Sequence, residues 1–273
     1  MKSKISNENK DIFVIFFKNQ SKLKNNSLID LKMLKITLKQ WIKFYKPGFK
    51  KIYISGDFSN EEDAEEIINY LNAKFMKENS IKLLNYGKVP PKFNTSKTNI
   101  VNYGLIKTWE YLKEPFILGT NDIFPIKFVD DKYINKQYKI RTNDYEKMSF
   151  KERKHWLNSH WIKAIKYFKE KYNFDNKIIC EGHNPYKITQ EFMNFYLNDE
   201  NLQLDIDRDI VHTLFLKMNE EEVMCKEEYC KATFISNKFS ISKKDLKNIK
   251  FVNCTLPNHP KTKNLIKRII KNI

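Results

Sequence analysis

Phe116-Ile117-Leu118-Gly119-Thr120-Asn121-Asp122-Ile123-Phe124-Pro125 is the stretch on which the fold turns. An apolar run passes directly into Thr120-Asn121-Asp122 and then returns to apolar character. Such a run, bounded by polar turn residues, reads as a buried strand ending in a polar loop. Similar runs precede it at Asp11–Phe17, Lys51–Gly56 and Ile81–Tyr86. Helical patterns lie between them. In Ser27–Tyr45 the residues Leu28, Leu31, Leu34, Leu38 and Trp41 recur every three or four positions, which makes one apolar face, and Pro47-Gly48 stops the pattern. Asn60 precedes Glu61, Glu62 and Asp63, acids suited to the positive end of a helix. Ile100–Leu112 reads as a further helix. Strands alternating with helices predict an α/β fold, a mostly parallel Rossmann-type sheet flanked by helices, with strand ends delivering loops to one edge.

The remainder is more helical. Asp130–Asp144 is charged and irregular. Ser149–Tyr172 reads as one long basic helix carrying Trp156, Trp161, Ile165 and Phe168. Thr189–Leu197 and Asp207–Met218 read as shorter helices, Thr233–Ser236 and Phe251–Cys254 as strands, and Asn264–Ile273 as a basic terminal helix. Neither an internal repeat nor a dividing linker is visible, so residues 1–273 are expected to form one domain.

Composition narrows the function classes. The chain has 273 residues, 41% apolar and 14% aromatic, which is enough for a sizeable core and excludes wholesale disorder. Gly occurs 6 times, which argues against Gly-rich phosphate loops. Mean hydropathy is −0.62, and no apolar run approaches the ~20 residues of a membrane helix. Ile12–Phe17 is too short for a signal-peptide core, so a cytoplasmic protein is expected. The net charge of +17 suits a polyanion partner. Arg occurs only at Arg141, Arg153, Arg208 and Arg268, so 46 of the 50 basic residues are Lys. Bidentate readers of phosphate are usually Arg. Lysine abundant beside Asn and Ile fits an AT-rich genome equally well. Cys180, Cys225, Cys230 and Cys254 are scattered and read as reduced structural thiols; the Cys225–Cys230 spacing is wider than a zinc knuckle.

Two segments carry candidate chemistry. Asp122 at a strand end is placed to hold Mg²⁺ or Mn²⁺ beside a diphosphate, because these cations take one or two protein carboxylates and complete their shells with phosphate and water. The structural alternative is an Asx-turn. The second segment is Ile178-Ile179-Cys180-Glu181-Gly182-His183-Asn184-Pro185. On an extended chain Glu181 and His183 share a face, and a His there can serve as a base or phosphate ligand. The alternative is a surface His before a Pro turn. His155 and His160 are five apart, off the spacing a helical zinc site needs. Trp156 and Trp161 read as core aromatics or as platforms for a base. Asp205, Asp207 and Asp209 read as a carboxylate cluster or as helix-capping acids.

In order, these segments resemble a known group. Asp11-Ile12-Phe13-Val14, then Lys51-Ile52-Tyr53-Ile54-Ser55-Gly56-Asp57, Lys97-Thr98-Asn99-Ile100, Phe116–Asp122 and Glu181–Pro185 are similar to motifs of the glycosyltransferase-like proteins common in bacteriophages. Those in turn resemble the Stealth family of hexose-1-phosphate transferases. The resemblance spans Asp11 to Tyr196, and Pro257–Lys263 is a possible extension. It implies a GT-A-like fold, a nucleotide-sugar donor and a divalent metal, Mn²⁺ or Mg²⁺. By position it makes Asp122 the metal and diphosphate ligand, with Asn121 where that family has a first Asp; an Asn ligates only through a neutral oxygen. It makes His183 and Glu181 catalytic. It places Asp11 and Asp57 at strand ends near the nucleotide, and Lys97 and Asn99 in a basic donor-binding segment. Lys32 or Lys35 stands where that family carries an Arg in the first helix.

The implied activity is metal-assisted transfer of a sugar from a nucleotide-sugar to a glycan or modified-DNA acceptor. Residues 1–130 form the donor-binding half and 131–273 the acceptor side. Alternatives are a Stealth-like hexose-1-phosphate transferase and a non-catalytic nucleic-acid-binding protein using the basic helices Ser149–Tyr172 and Asn264–Ile273.

Overall fold

The structure is a computed structural model, and it describes residues 10–17, 27–58, 61–121, 123–135, 137–138, 142–180, 185–204, 206–221, 224–225 and 251–253. A five-stranded sheet forms its centre. The first strands and helices are β1 (Asp11–Phe16), α1 (Ser27–Phe44), β2 (Phe49–Gly56), α2 (Glu61–Leu71), α3 (Ala73–Glu78), β3 (Ile81–Asn85), α4 (Lys97–Leu112) and β4 (Phe116–Thr120). They are followed by β5 (Ile123–Pro125), β6 (Gln137–Tyr138), β7 (Thr142–Asp144), α5 (Phe150–Arg153), α6 (Trp156–Tyr172), β8 (Ile178–Cys180) and β9 (Tyr186–Ile188). The last described elements are α7 (Gln190–Leu197), α8 (Glu200–Gln203), α9 (Arg208–Met218), β10 (Met224–Cys225) and β11 (Phe251–Asn253).

The sheet order is β3-β2-β1-β4-β9. β1 runs parallel to β2 and β4, β2 runs parallel to β3, and β9 closes the sheet antiparallel to β4. The expected mostly parallel α/β sheet is therefore present, and its last strand comes from the second half of the chain.

Burial on both faces explains the continuous apolar strands. Along β1, Phe13 and Ile15 enter one core with Leu34, Leu38 and Trp41 of α1, Ile52 and Ile54 of β2, and Ile67 of α2. Ile12 and Val14 enter the other with Leu105 of α4, Phe116 and Leu118 of β4, and Phe168, Phe192 and Val211 of α6, α7 and α9. Alternate residues point to opposite faces, so a strand covered on both sides must be apolar at every position. Gly119 is required by this packing, since a Cβ there would lie 2.7 Å from the Phe13 ring.

The single helix expected over Ser149–Tyr172 is broken into α5 and α6. A capping box closes α5, with Ser149 accepting from the Glu152 N–H and Glu152 reaching back to the Ser149 N–H. The Glu152 carbonyl, which a continuous helix would bond to the N–H four residues on, instead accepts from the His155 N–H at 3.1 Å and from the Asn158 amide at 2.8 Å. Trp161 is buried as expected of a core aromatic. Thr233–Ser236 and Asn264–Ile273 lie outside the described residues. Among the described residues, no helix is long and apolar enough to cross a membrane.

Candidate functional site at the carboxyl edge of the sheet

Strands β1 to β4 all end on one edge. From β1 the chain steps outward to β2 and β3, whereas β4 lies on the other side of β1. This reversal makes a topological switch point between the ends of β1 and β4, the position where open α/β sheets take ligands. Phe16 and Thr120 face each other there in register. Asp57 follows the end of β2, Asn85 ends β3, and Asn121 follows β4. Tyr186 opens β9 opposite Leu118.

α1 holds the turn after β4 from both sides. The Thr37 hydroxyl donates to the Asn121 carbonyl at 2.8 Å, and the Trp41 indole N–H donates to the Ile123 carbonyl at 3.0 Å. Both side chains are fully buried. The carbonyls of Asn121 and Ile123 are thus both fixed to α1. In the sequence, Trp41 registers only as part of an apolar face and Thr37 carries no signal.

Asn85 braces the next two loops. Its Oδ1 accepts from the N–H groups of Phe58 at 3.0 Å and Gly87 at 2.9 Å, while its Nδ2 donates to the Phe58 carbonyl at 3.0 Å. The Tyr86 hydroxyl is pushed up to about 12, first by burial and then by the nearby Asp57 carboxylate, with Arg208 acting in the opposite sense. Tyr86 therefore stays a neutral phenol beside Asp57.

Against the switch point lies a polar cluster that sequence reasoning missed. Arg208, only 5% exposed, opens α9. Its Nε donates to the Tyr186 hydroxyl at 3.2 Å and to Asp209 at 3.3 Å, and its Nη1 donates to the Val101 carbonyl at 2.9 Å. Its guanidinium carbon lies 4.4 Å from the centre of the Phe16 ring. One side chain thus ties together the end of β1, the start of β9, α4 and α9. Although burial disfavours its charge, the neighbouring Tyr186, Asp209 and Asp207 hold it ionised. The Tyr186 hydroxyl also bonds Asp209, and burial raises its pKa well above the ordinary phenol range. His212 stacks on Tyr186 at 4.4 Å, meets the edge of Phe192 at 4.7 Å, and donates from Nε2 to the Lys187 carbonyl at 3.1 Å. A carbonyl can only accept, so Nε2 carries the proton. Asp207 caps α9 by accepting from the Asp209 N–H, which agrees with the capping alternative for that acid.

The structure distributes the expected site residues unevenly. Asp57 and Asn121 come to the carboxyl edge. Lys97 opens α4 on the same side, and Asn99 sits in its first turn. Asn99 is 2% exposed and its amide donates to Thr95 Oγ1 at 2.7 Å, so it secures the helix start. Asp122, Glu181 and His183 lie outside the described residues, as does Asp205.

Asp11 requires correction as a residue near the others. It begins β1 and pairs with Phe49 at the start of β2, so it lies at the opposite edge of the sheet. There it forms an ion pair with Lys187 at 3.0 Å and accepts from the Tyr45 hydroxyl at 2.5 Å. Tyr45 also bonds Asp131, and burial together with these two acids raises its pKa beyond the ordinary phenol range. Lys35 donates to the Tyr70 carbonyl at 3.1 Å, joining α1 to α2, and Lys32 is exposed.

No protein-family model and no curated protein matches the chain. Among solved structures, it is similar to the apo structure of the bifunctional glycosyltransferase WbbM, with 10% sequence identity and a TM-score of 0.45. The match covers 96% of this chain and 52% of that one, so the chain spans about half the length of that structure.

Proposed function

We propose that the chain is a nucleotide-sugar-dependent glycosyltransferase with a GT-A-like fold, and that its donor lies across the carboxyl edge of the sheet. The observation carrying this reading is the coincidence of the β1/β4 switch point with the Thr120-Asn121-Asp122 segment, anchored on both sides by Thr37 and Trp41.

By residue type, the Asn121-Asp122 pair suits a Mn²⁺ or Mg²⁺ ion shared with a diphosphate. Among the described residues, no three of His, Cys, Asp and Glu come together as a cage. One carboxylate at Asp122, with Asn121 beside it, matches the habit of these ions of completing their shells with phosphate and water. When bound, such an ion neutralises charge on the leaving diphosphate. Asp122 holds that end of the donor. Asp57 follows the end of β2, where α/β nucleotide sites place the acid that binds ribose hydroxyls. Lys97 adds positive charge as the leaving group departs. His183 or Glu181 takes the proton of the acceptor hydroxyl. The acceptor is a glycan or modified DNA, and the +17 charge suits the latter through phosphate contacts.

The test is thermal stabilisation by UDP and other nucleoside diphosphates with Mn²⁺, which Asp122→Ala removes. Loss of salt-sensitive DNA binding without any nucleotide effect in the same variant has no place in this reading. A protein that ignores every nucleotide but binds DNA with a steep salt dependence is instead a nucleic-acid binder. The released nucleotide separates the two transfer chemistries. Glycosyl transfer breaks the sugar–oxygen bond and frees a nucleoside diphosphate, whereas hexose-1-phosphate transfer breaks the phosphoanhydride and frees a monophosphate.

A further inference from the structure

A cleft of about 330 Å³ opens on the same edge of the sheet as the switch point, between the loop after β2, α2 and β3. Phe58, Ala64, Ile68 and Leu83 give it apolar walls, and Glu65 and Asn85 supply its polar groups. We propose that this cleft receives the nucleobase of a nucleoside diphosphate, a site resting on the donor-binding reading above and extending it to the outer end of the ligand.

The cleft is preformed. The three hydrogen bonds of Asn85 to Phe58 and Gly87 lock the loop after β2 to the loop after β3. Gly56 allows the Phe58 ring to fold back on the strand end, since a Cβ there would lie 2.7 Å from Phe58 Cζ and equally close to the Phe17 carbonyl oxygen. An open cleft that combines apolar walls with a few polar groups can take a small molecule, and this volume suits a heterocycle better than a whole nucleotide. Ile68 leaves a large apolar side chain 39% exposed, and a flat ring laid in the cleft would cover it.

Position identifies the ligand. The cleft lies at the ends of β2 and β3, and the turn after β4 lies two to three strands away. At about 4.8 Å per strand the separation is roughly 10–14 Å. That is the span of a nucleoside diphosphate laid along the edge, with its ribose over Asp57 and its terminal phosphate at the turn. Asn85 spends its amide oxygen and one of its two amide N–H groups on backbone groups, so the base edge is read chiefly by the Glu65 carboxylate. An ionised carboxylate only accepts, which favours bases that present N–H donors there.

The experiment compares inorganic pyrophosphate with UDP, GDP, ADP and CDP, all with Mn²⁺, on the full chain and on Ala64→Phe and Ile68→Ser. Ala64→Phe fills the cleft, and Ile68→Ser removes an exposed wall. The unaltered protein is expected to bind at least one nucleoside diphosphate ten-fold or more tighter than pyrophosphate. Both variants should bring that ratio toward one and leave pyrophosphate affinity unchanged. Photolabelling of the unaltered protein with azido derivatives of the preferred nucleotide should mark residues 58–68 or 83–87. If folded variants keep the full preference, or the label falls elsewhere, the base lies outside this cleft and the donor reading stands without it. If neither pyrophosphate nor any nucleotide binds the unaltered protein, both fall.

Discussion

Acidification should destabilise the protein through His212 by a calculable amount. The imidazole is buried between Tyr186 and Phe192, and burial lowers its pKa from 6.5 to about 4, although the Lys187 carbonyl and Asp209 act in the opposite direction. Above pH 6.5 the ring is neutral in both folded and unfolded chains and adds no pH dependence. Below pH 6.5 the unfolded chain binds a proton that the folded chain refuses until about pH 4. Stability is therefore present above the unfolded value and is lost as pH falls through this window. The loss approaches about 1.4 kcal/mol per pH unit and about 3 kcal/mol in total. Urea unfolding at pH 7, 6, 5 and 4 measures it. The chain has five His residues and many carboxylates, so the informative quantity is the difference from His212→Gln, whose amide can still donate to Lys187. Wild type should lose about 3 kcal/mol more than the variant between pH 7 and pH 4. A pH-independent difference, or a His212 resonance titrating near 6.5, would refute the reasoning.

Thr37→Val keeps the side-chain volume but removes the donor to the Asn121 carbonyl. It should cost about 1–2 kcal/mol in urea unfolding and weaken Mn²⁺-dependent nucleotide stabilisation more than nucleotide stabilisation without metal, and Thr37→Ser should restore much of both. Arg208→Met takes the cation away from the half-buried Asp209 and the Nη1–H donor away from the Val101 carbonyl, and should cost about 3–5 kcal/mol by the same measurement; Lys in its place should rescue little, because one ammonium cannot reproduce the planar fork that spans Tyr186, Asp209 and Val101. Asp11→Asn should lower stability by about 1–2 kcal/mol while leaving nucleotide-induced stabilisation intact, and Asp57→Asn should show the reverse pattern in thermal-shift titrations.

The strands were legible because their environment is uniform. Ile12 to Ile15 are all fully buried, so the sequence shows an unbroken apolar run, and the helices between reveal themselves through period and caps. α4 begins earlier than Ile100 because Ser96 Oγ accepts from the Asn99 N–H. A cap makes helix of the polar Lys97-Thr98-Asn99, which by composition resembles loop. Asp11 and Asp57 both flank apolar strands, but one stands at a beginning and the other follows an end; parallel strands send those positions to opposite edges, and only an explicit sense of chain direction separates them. Arg208 and His212 were opaque for another reason. Their partners Tyr186 and Lys187 lie 22 and 25 residues away, so the bonds that make burial tolerable leave no local pattern.

The two edges of the sheet are held by different chemistry, and the difference bears on where a ligand belongs. At the starting edge, Asp11 and Asp131 meet Tyr45, and Asp11 also pairs with Lys187. Charge there is consumed in joining β1, α1, β9 and the turn at Asp131. At the carboxyl edge, the turn after β4 and the loops after β2 and β3 are held by a threonine hydroxyl, an indole N–H and an asparagine amide acting on backbone groups. Neutral donors acting on backbone groups hold those loops. The charged Arg208–Asp209 pair lies one layer behind, bracing the ends of β1 and β9 from within. An edge that is rigid before any ion arrives loses little order when it binds one, whereas an edge stabilised by its own ion pairs would have to break them first.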